Sequence, residues 1–436
     1  MAFFAPDEER LNRLDLERLQ RHKLADLLAQ ARDSNAFYRH KLAGVDFDPL
    51  RDALDRLPLT TRAELEREQR ENPPYGTNLT FPLARYCRLH QTSGSTSGAP
   101  LRWLDTAESW QWWRKCWGII YAAAGVRPDD RFVFPFSFGP FVGFWGAFES
   151  AVAMGNLCLA AGGMTTSARL RYLLDNAVTF VCCTPTYALR MAEVAADEGL
   201  DLAASPVRGL IVAGEPGGSI PATRARIEQA WGARVFDHAG MTEIGPWGFE
   251  AVEAPGGLLV MECEFMAEVI DPSTGAAVED GEPGELVLTN LGRVGSPLIR
   301  YRTGDQARLR RDRETAGRWF AFAEGGVLGR VDDMLVIRGN NVFPTAIEDA
   351  LRELNEIAEF RLHVEQSGSL CELRIDVEPA ADPPDEPARQ RLAARIAEHL
   401  RARLHFRPQV RVVGRGALPR FEMKARRVER HDRPEA

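Results

Sequence analysis

Short apolar runs alternate with amphipathic stretches through the middle of the chain. Residues 131–136, 180–184 and 209–212 are dominated by apolar side chains, whereas residues 167–176 and Pro221–Trp231 repeat their apolar positions at helical spacing. This alternation is typical of βαβ units, and continuous apolar runs indicate parallel strands covered on both faces. We therefore predict an α/β core over residues 86–256.

A different pattern precedes and follows this core. Residues 1–85 are rich in charge and carry leucines at roughly helical spacing, which predicts a helical cap and not a catalytic centre. Residues 257–330 contain shorter strands, such as 266–270 and 284–288, between Asp-Pro, Asp-Gly and Pro-Gly turns, and are predicted to be β-rich. The leucines of the cap are Leu11, Leu14, Leu19, Leu24, Leu27 and Leu28.

The pattern changes again after residue 330, where strands and helices become short and mixed. The predicted elements are a strand at 334–338, a helix from Pro344, a strand at 372–377, a helix at 388–404 and a strand at 410–413. We predict an α/β fold with a large N-terminal domain, residues 1–330, and a small C-terminal α+β domain, residues 331–436.

Charge and composition exclude several classes of function. The 436 residues include 54 basic and 62 acidic ones, a formal charge of −8, with no basic block, which argues against nucleic acid as the main partner. No apolar run reaches the roughly eighteen residues that a membrane span needs, and the N-terminus lacks a secretory pattern. Seven cysteines without paired spacing disfavour a disulfide scaffold. We expect a cytoplasmic protein that acts on a small molecule.

Lysine is scarce in this chain. Lys424 lies close to Arg420 and Arg426, so arginine supplies generic positive charge there, and a lysine suggests a need for a compact ammonium that a planar guanidinium cannot replace. Chance is the alternative, because lysines also remain elsewhere. The four lysines are Lys23, Lys41, Lys115 and Lys424.

Hydroxyl residues and glycines cluster between Thr92 and Pro100. Glycines let backbone amides converge on an anion and hydroxyls add donors, so the composition favours a phosphate-binding loop, with a flexible linker as the alternative. The spacing and the lysine of a P-loop are missing, and a threonine stands where a nucleophile elbow needs serine. The candidate residues are Ser93, Gly94, Ser95, Thr96, Ser97 and Gly98.

Five further motifs follow the hydroxyl-rich loop in a fixed order. They are DHAGMTE at 237–243, YRTGD at 301–305, GRVDDM at 329–334, RGNNVFP at 338–344 and LPRFEMK at 418–424. The set resembles the adenylate-forming enzymes, which include acyl-CoA synthetases, adenylation domains and luciferases. The nearer resemblance is to phenylacetate:CoA ligase and its relatives, because of an Ala-Gly-Glu-Pro segment at 213–216 and Asn-Val-Phe-Pro at 341–344.

This resemblance implies two half-reactions. ATP and Mg²⁺ convert a carboxylate to an acyl-adenylate, and coenzyme A then displaces AMP. Our main hypothesis is a ligase for an aromatic carboxylic acid. Transfer to a carrier protein or an amine is a second hypothesis, and an inactive scaffold relative is a third, from a different class. The resemblance also implies a mobile C-terminal domain and a possible homodimer.

The resemblance assigns roles to individual residues. Ser93 to Gly98 would wrap the phosphates, Glu243 would bind Mg²⁺, and Asp305 would accept hydrogen bonds from the ribose hydroxyls. Lys424 would stabilise the adenylation transition state together with Glu243 and Arg330, and Asp332 would be the hinge. Alone, Asp305 and Glu243 also suit a turn and a helix first turn. The other nucleotide-binding candidates are Gly214, Glu215, Pro216, Asp237, His238 and Thr242.

The acyl pocket is predicted from an aromatic segment and from small residues that would form flat walls for an aromatic ring. The alternative is that the phenylalanines are core. The tryptophans between Trp110 and Trp117 are interpreted as core or as a subunit contact. The pocket candidates are Phe136, Phe138, Gly139, Phe141, Ala213, Ala239 and Gly240.

The chain departs from some relatives that carry a structural zinc site. The corresponding stretches, 249–251, 257–259 and 314–318, contain no cysteine or histidine, and Cys263 alone cannot replace four ligands. We therefore predict no zinc.

Overall fold

The structure is a computed structural model that describes residues 1–92, 100–337, 340–367, 370–383, 385–421 and 424–432. Its helices are α1 (Pro6–Glu9), α2 (Arg13–Ser34), α3 (Ala36–Lys41), α4 (Arg62–Glu71), α5 (Ala107–Ala123), α6 (Val142–Ala153), α7 (Thr166–Asp175), α8 (Pro185–Asp197), α9 (Pro221–Trp231), α10 (Pro344–Arg352) and α11 (Glu386–Leu404).

The first fourteen strands belong to the large N-terminal domain. They are β1 (Tyr86–Gln91), β2 (Arg102–Thr106), β3 (Arg131–Phe134), β4 (Leu157–Ala160), β5 (Phe180–Cys183), β6 (Gly209–Ala213), β7 (Arg234–Met241), β8 (Gly245–Ala251), β9 (Ala254–Val260), β10 (Phe265–Ile270), β11 (Pro283–Asn290), β12 (Tyr301–Arg310), β13 (Phe322–Glu324) and β14 (Gly329–Arg330).

The other six strands form the sheet of the smaller C-terminal domain. They are β15 (Leu335–Ile337), β16 (Asn340–Val342), β17 (Ile357–Ser367), β18 (Leu370–Pro379), β19 (Gln409–Val412) and β20 (Val428–Asp432). The predicted mixed α/β fold with a large and a small domain is confirmed. The boundary at residue 330 stays a prediction.

The predicted βαβ core is a run of parallel strands. Strands β4, β3, β5, β6 and β7 lie side by side in that order, and each neighbouring pair is parallel. Strands β5 and β6 are almost entirely buried, as expected for strands covered on both faces. Helix α8 begins after Thr184, whose hydroxyl accepts from the amide of Tyr187, and Pro185 occupies its first turn.

Strands β8 to β13 continue this same sheet in antiparallel fashion, so the antiparallel part begins at residue 245 and not at the predicted residue 257. Strand β8 pairs with β7, β9 with β8, and β13 with β9, and the order then runs through β12, β11 and β10. The reversal between β7 and β8 places Gly245 at φ 113°, where a Cβ would also lie 2.5 Å from the ring of Trp112. Glycine is therefore required by conformation and by space at this corner.

Three of the six cap leucines, Leu24, Leu27 and Leu28 on α2, are buried in the core. Leu11 and Leu19 are partly buried against that core, whereas Leu14 is 58% exposed. The tryptophans of α5 are buried and belong to the core; Trp112 Nε1 donates to Glu264 at 2.8 Å.

Three of the four lysines are engaged in structural ion pairs. Lys23 and Lys115 each bridge Glu8 and Glu264, with N···O distances of 2.6 to 3.0 Å. Lys41 lies 2.6 Å from Glu64. Among the described residues, no helix has both the length and the apolarity that crossing a membrane would demand.

Candidate active site

The carboxyl ends of β6 and β7 meet at one edge of the large sheet. Their parallel register places Ala213 beside His238, so Gly214 to Pro216, which leave the sheet after β6, begin next to Ala239 and Gly240 of β7. Gly214 has φ 95°, a left-handed conformation that glycine adopts without strain. Crevices at this edge of parallel sheets commonly bind nucleotides.

Asp237 and His238 are anchored by their neighbours at this edge. Asp237 accepts a short hydrogen bond from the hydroxyl of Ser219, and burial raises the pKa of its carboxyl to about 6. His238 Nδ1 lies 2.7 Å from the carbonyl oxygen of Gly248, and burial lowers its pKa to about 4. At neutral pH His238 is uncharged, so Nδ1 is the donor in this contact.

Glu243 lies in the turn between β7 and β8 and is only 5% exposed. Its Oε1 accepts from Tyr301 Oη at 3.0 Å and lies 3.5 Å from Arg62 Nη1. Burial, and then the nearby carboxylate of Glu243, raise the pKa of the Tyr301 phenol well above its usual value. Tyr301 therefore stays protonated and donates its hydroxyl proton to Glu243.

A buried ion pair supports the turn that contains Glu243. Arg293 makes two hydrogen bonds to Asp105, at 2.7 and 2.6 Å, and both side chains are fully buried. The third nitrogen of Arg293 donates to the carbonyl oxygens of Thr242 and Glu243 at 2.6 and 3.1 Å. Removing Arg293 would leave buried acceptors unpaired beside the site. Sequence reasoning missed this pair, because its members are 188 positions apart.

The residues flanking the hydroxyl-rich loop are also tied to Glu243. At the end of the β1–β2 pair, the amide of Thr92 donates to the carbonyl oxygen of Leu101, and the amide of Leu101 donates to Thr92 Oγ1, both at 3.0 Å. Arg62 Nη2 donates to Thr92 Oγ1 at 3.3 Å while its Nη1 faces Glu243. The loop predicted to bind phosphate, Ser93 to Gly98, lies outside the described residues. Arg62 comes from the predicted cap, which was not expected to be a catalytic centre, and it links Thr92 to Glu243.

Asp305 lies on β12 opposite Arg330 of β14, in antiparallel register. Arg330 Nη1 is 3.3 Å from Asp305 Oδ1. Burial is the main cause that raises the pKa of Asp305 to about 7; the negative charge of Glu243 adds to this rise, and the positive charges of Arg330 and Lys424 oppose it. The Asp305 carboxylate therefore lies within electrostatic range of both Glu243 and Lys424.

Lys424 is the site residue that the small domain contributes. A Cβ placed on Gly214 would lie 3.6 Å from Lys424 Cε, so the lysine stem passes over the glycine. The next residue, Ala425, donates its backbone amide to Glu215 Oε2 at 2.7 Å. Glu215 Oε1 accepts from the amide of Thr186 at 2.9 Å, and burial raises the pKa of its carboxyl.

Asp332 lies at the junction between the two sheets, in a single 3₁₀ turn, Val331–Asp333. Its carboxylate is 3.0 Å from Arg330 Nε, and its carbonyl oxygen accepts from Arg430 Nη2 at 3.0 Å. The junction is therefore held by one arginine from each domain.

The predicted acyl-pocket phenylalanines take part in a larger aromatic cluster. Phe138 packs against Phe136, Trp145 and Phe148, with ring centroids 4.9 to 5.5 Å apart. Phe136 is buried, whereas Phe138 and Phe141 are partly exposed. Gly139 accepts from Trp145 Nε1 at 2.9 Å. The cluster combines core packing with partly exposed rings, and the acyl pocket stays a prediction.

Two family profiles match the sequence. Residues 54–292 match the AMP-binding enzyme profile, and residues 339–432 match the AMP-binding enzyme C-terminal domain. The chain is 32% identical to phenylacetate-coenzyme A ligase of Pseudomonas putida, over 94% of this chain and 93% of that protein. It is 33% identical to phenylacetate-coenzyme A ligase of Thermus thermophilus, over 86% of this chain and 84% of that protein.

Solved structures of 2-hydroxyisobutyryl-CoA ligase are also similar. The enzyme in the postadenylation state, in complex with 2-HIB-AMP, gives a TM-score of 0.92 at 27% identity, over 98% of this chain and 92% of that one. The same enzyme in the thioesterification state gives 0.73 at 28% identity and equal coverage. The chain is therefore more similar in overall structure to the postadenylation structure than to the thioesterification structure.

Proposed function

We propose a function from the premise that this chain belongs to the AMP-binding enzyme family and is an AMP-forming acid–CoA ligase. On this premise, the protein activates an aromatic carboxylic acid as an acyl-adenylate and then passes the acyl group to coenzyme A. In the first step a carboxylate oxygen bonds to the α-phosphorus of ATP, and the bond to pyrophosphate breaks. In the second step the sulfur of coenzyme A bonds to the acyl carbon, AMP leaves, and the thiol proton passes to water.

The observation that carries this proposal is the delivery of Lys424 to the edge of the large sheet. Its ammonium stem lies over Gly214, within electrostatic range of Asp305. A positive charge at that point would stabilise the negative charge that develops as the carboxylate attacks the α-phosphate. The ammonium is compact enough to lie between the two reacting anions, which a guanidinium is not.

The large domain would hold the nucleotide and its metal. Glu243 makes both of its described contacts through Oε1, so Oε2 is the atom that we expect to bind Mg²⁺ beside the phosphates. An oxygen donor of this kind suits Mg²⁺, which would neutralise phosphate charge. Asp305 would accept hydrogen bonds from the ribose hydroxyls, and the positive charge of Arg330 opposes the rise in the pKa of its carboxyl that burial causes. The hydroxyls and amides of Ser93 to Gly98 would contact the β and γ phosphates.

The second half-reaction requires the lysine to leave. Contacts across the domains, such as Glu215 with Ala425, join the two surfaces without a continuous apolar core, because each domain has its own buried cluster. Rotation about Asp332 would break these polar contacts, withdraw Lys424 and admit the thiol.

The choice of an aromatic acid rests on the aromatic segment and on the small residues at the ends of β6 and β7. Partly exposed rings at Phe138 and Phe141, with Ala213, Ala239 and Gly240 offering little side-chain bulk, suit a flat ring more than a branched aliphatic acid.

The proposal is tested by ATP–pyrophosphate exchange with a panel of acids. Phenylacetate and benzoate should support exchange at least tenfold faster than 2-hydroxyisobutyrate, and added coenzyme A should accelerate AMP release with the same acids. Preference for 2-hydroxyisobutyrate would overturn the aromatic assignment. Exchange without any acceleration of AMP release by coenzyme A would favour a carrier protein or an amine as acceptor.

A further inference from the structure

Two of the chain's eight histidines lie close together in the small domain, His363 on β17 and His431 on the neighbouring outer strand β20. Strand β20 runs parallel to β17, with Glu429 opposite His363 and His431 opposite Glu365. Side chains alternate along a strand, so His363, Glu429 and His431 share one face of the sheet. The other face, which carries Leu362 and Val364, is buried in the core of the small domain.

Three ligand atoms converge on this face. His363 Nδ1 lies 3.1 Å from His431 Nε2 and 3.3 Å from Glu429 Oε2, and the last two atoms are 3.8 Å apart. Tetrahedral zinc with bonds of about 2.0–2.1 Å places its ligand atoms about 3.3–3.4 Å from one another. The three separations therefore match one face of a zinc coordination tetrahedron, after a small turn of the imidazole rings toward a common point.

A carboxylate behind His363 orients its ring. His363 Nε2 lies 3.1 Å from Asp376 Oδ2, and Asp376 is held in turn by Arg411, with Nε 2.9 Å away. With Nε2 donating to Asp376, Nδ1 presents its lone pair toward His431 and Glu429. A histidine whose second nitrogen donates to a carboxylate is the usual support of a metal ligand.

Burial and charge indicate which ion would bind. His363 is 6% exposed, whereas the His431 side chain is 47% exposed, so an ion would have one fixed ligand and a path from solvent. Arg361 pairs with Glu429 Oε1 at 2.8 Å and leaves Oε2 for the ion. The positive charge of Arg361 disfavours an ion that is held only by attraction to carboxylates. Two imidazoles with one carboxylate favour zinc and its neighbours over Mg²⁺ or Ca²⁺.

We propose that His363, Glu429 and His431 bind a divalent transition-metal ion of the zinc class, with water completing the coordination. The ion would fasten β20 to β17. Strand β20 begins only four positions after Lys424, so the same ion would fix the end of the segment that carries the lysine. The prediction of no zinc rested on missing ligands at residues 249–318 and did not consider these histidines.

A second group of potential ligands in the described residues does not support the same inference. Glu8, Cys263 and Glu264 also lie close together. The ammonium groups of Lys23 and Lys115 already bridge both carboxylates there. Two ammonium groups therefore occupy that position, whereas Arg361 is paired with Oε1 of Glu429 and leaves Oε2 facing the two histidines.

The test uses the full chain, produced without a polyhistidine tag, stripped with EDTA and freed of chelator. Titration with Co²⁺ should give one equivalent of visible d–d absorption typical of a tetrahedral site, displaced by Zn²⁺ and unaffected by excess Mg²⁺. His431→Ala should weaken binding at least tenfold, and Asp376→Asn about 10–100-fold, as expected for loss of a supporting carboxylate. The exposed His40→Ala serves as the matched control and should bind as the unaltered chain does.

Thermal unfolding provides a second measurement that does not depend on activity. Zn²⁺ should raise the Tm of the unaltered chain and of His40→Ala, and should leave the Tm of His431→Ala unchanged. His431 is exposed, so its replacement should fold normally, which circular dichroism would verify. Equal Co²⁺ affinity and stoichiometry in His431→Ala and the unaltered chain would overturn the proposal, as would no binding by either.

Discussion

Ala425 donates its backbone amide to the carboxylate of Glu215, which joins the residue after Lys424 to the carboxyl edge of the large sheet. Glu215 accepts the amide of Thr186 through its other oxygen. One side chain therefore connects the start of α8 to the segment that carries the candidate catalytic lysine. The position of Lys424 is consequently set by a contact between the domains and not by β20, the strand that follows it.

Lys424→Ala should reduce acyl-adenylate formation on the order of 10²-fold or more, if its loss resembles the removal of one oxyanion donor. Thioester formation from preformed acyl-adenylate should survive, because the lysine has left the site in that step. Pyrophosphate exchange and single-turnover thioester synthesis measure the two steps. Lys41→Ala, which breaks a pair with Glu64, should change neither rate. Equal loss in both steps would contradict a rotating domain.

Glu243→Gln should raise the Mg²⁺ concentration needed for half-maximal pyrophosphate exchange by about tenfold or more, equivalent to about 1.4 kcal/mol. The amide keeps an oxygen but loses the negative charge that favours the ion. Glu66→Gln is a suitable comparison, because Glu66 also contacts Arg62, at 2.7 Å. An unchanged Mg²⁺ dependence in Glu243→Gln would remove Glu243 from the metal site.

Arg226 donates to three carbonyl oxygens of the small domain, those of Arg352, Leu354 and Ile357, at 2.5 to 2.8 Å. Arg226→Ala should therefore destabilise the arrangement that delivers Lys424, and should slow pyrophosphate exchange by about tenfold, equivalent to about 1.4 kcal/mol. Thioester formation from acyl-adenylate should be unchanged or faster. The exposed Arg171→Ala supplies the control. An equal loss of thioester formation and pyrophosphate exchange would show that the Arg226 contacts stabilise both domain arrangements equally.

Asp332→Pro tests whether the small domain rotates about residue 332. Proline fixes φ near −65°, so rotation at this junction should be blocked while the nucleotide pocket stays intact. If the trapped arrangement is the present one, pyrophosphate exchange should stay within a few-fold, about 1 kcal/mol, while thioester synthesis collapses. Asp332→Ala removes the contact with Arg330 but leaves the backbone free, and should retain both steps. Full-rate thioester synthesis by Asp332→Pro would place the hinge elsewhere.

His238 should make the protein sensitive to acid. Burial lowers its pKa from 6.5 to about 4, so the unfolded chain binds a proton that the folded chain does not. Its contribution is fully present above pH 6.5 and is lost as pH falls toward 4, a loss of up to about 3 kcal/mol. Urea unfolding measured across this range should show a shallower pH dependence for His238→Asn, whereas the exposed His22→Asn should follow the unaltered chain. An equal slope in both variants would contradict the assignment.

The sequence by itself determined the local elements and their class. Proline at the first turn and a helical apolar stripe predicted α9 at the bounds that the structure has, Pro221–Trp231. The continuous apolar run at 209–212 predicted β6, since a strand covered on both faces has no polar side to alternate with. The ordered motifs indicated the family, because local conformation and short spacing are recorded directly along the chain.

The tertiary structure alone decided which distant side chains meet. Arg62 was assigned to a helical cap, yet it contacts Thr92 and Glu243, and His363 meets His431 across 68 positions. No periodicity signals such contacts, because they depend on strand order, parallel register and the placement of one domain on the other. The sequence does not distinguish a polar residue that faces solvent from one that belongs to a site. Tertiary packing makes the distinction, because it brings the partner within hydrogen-bond distance.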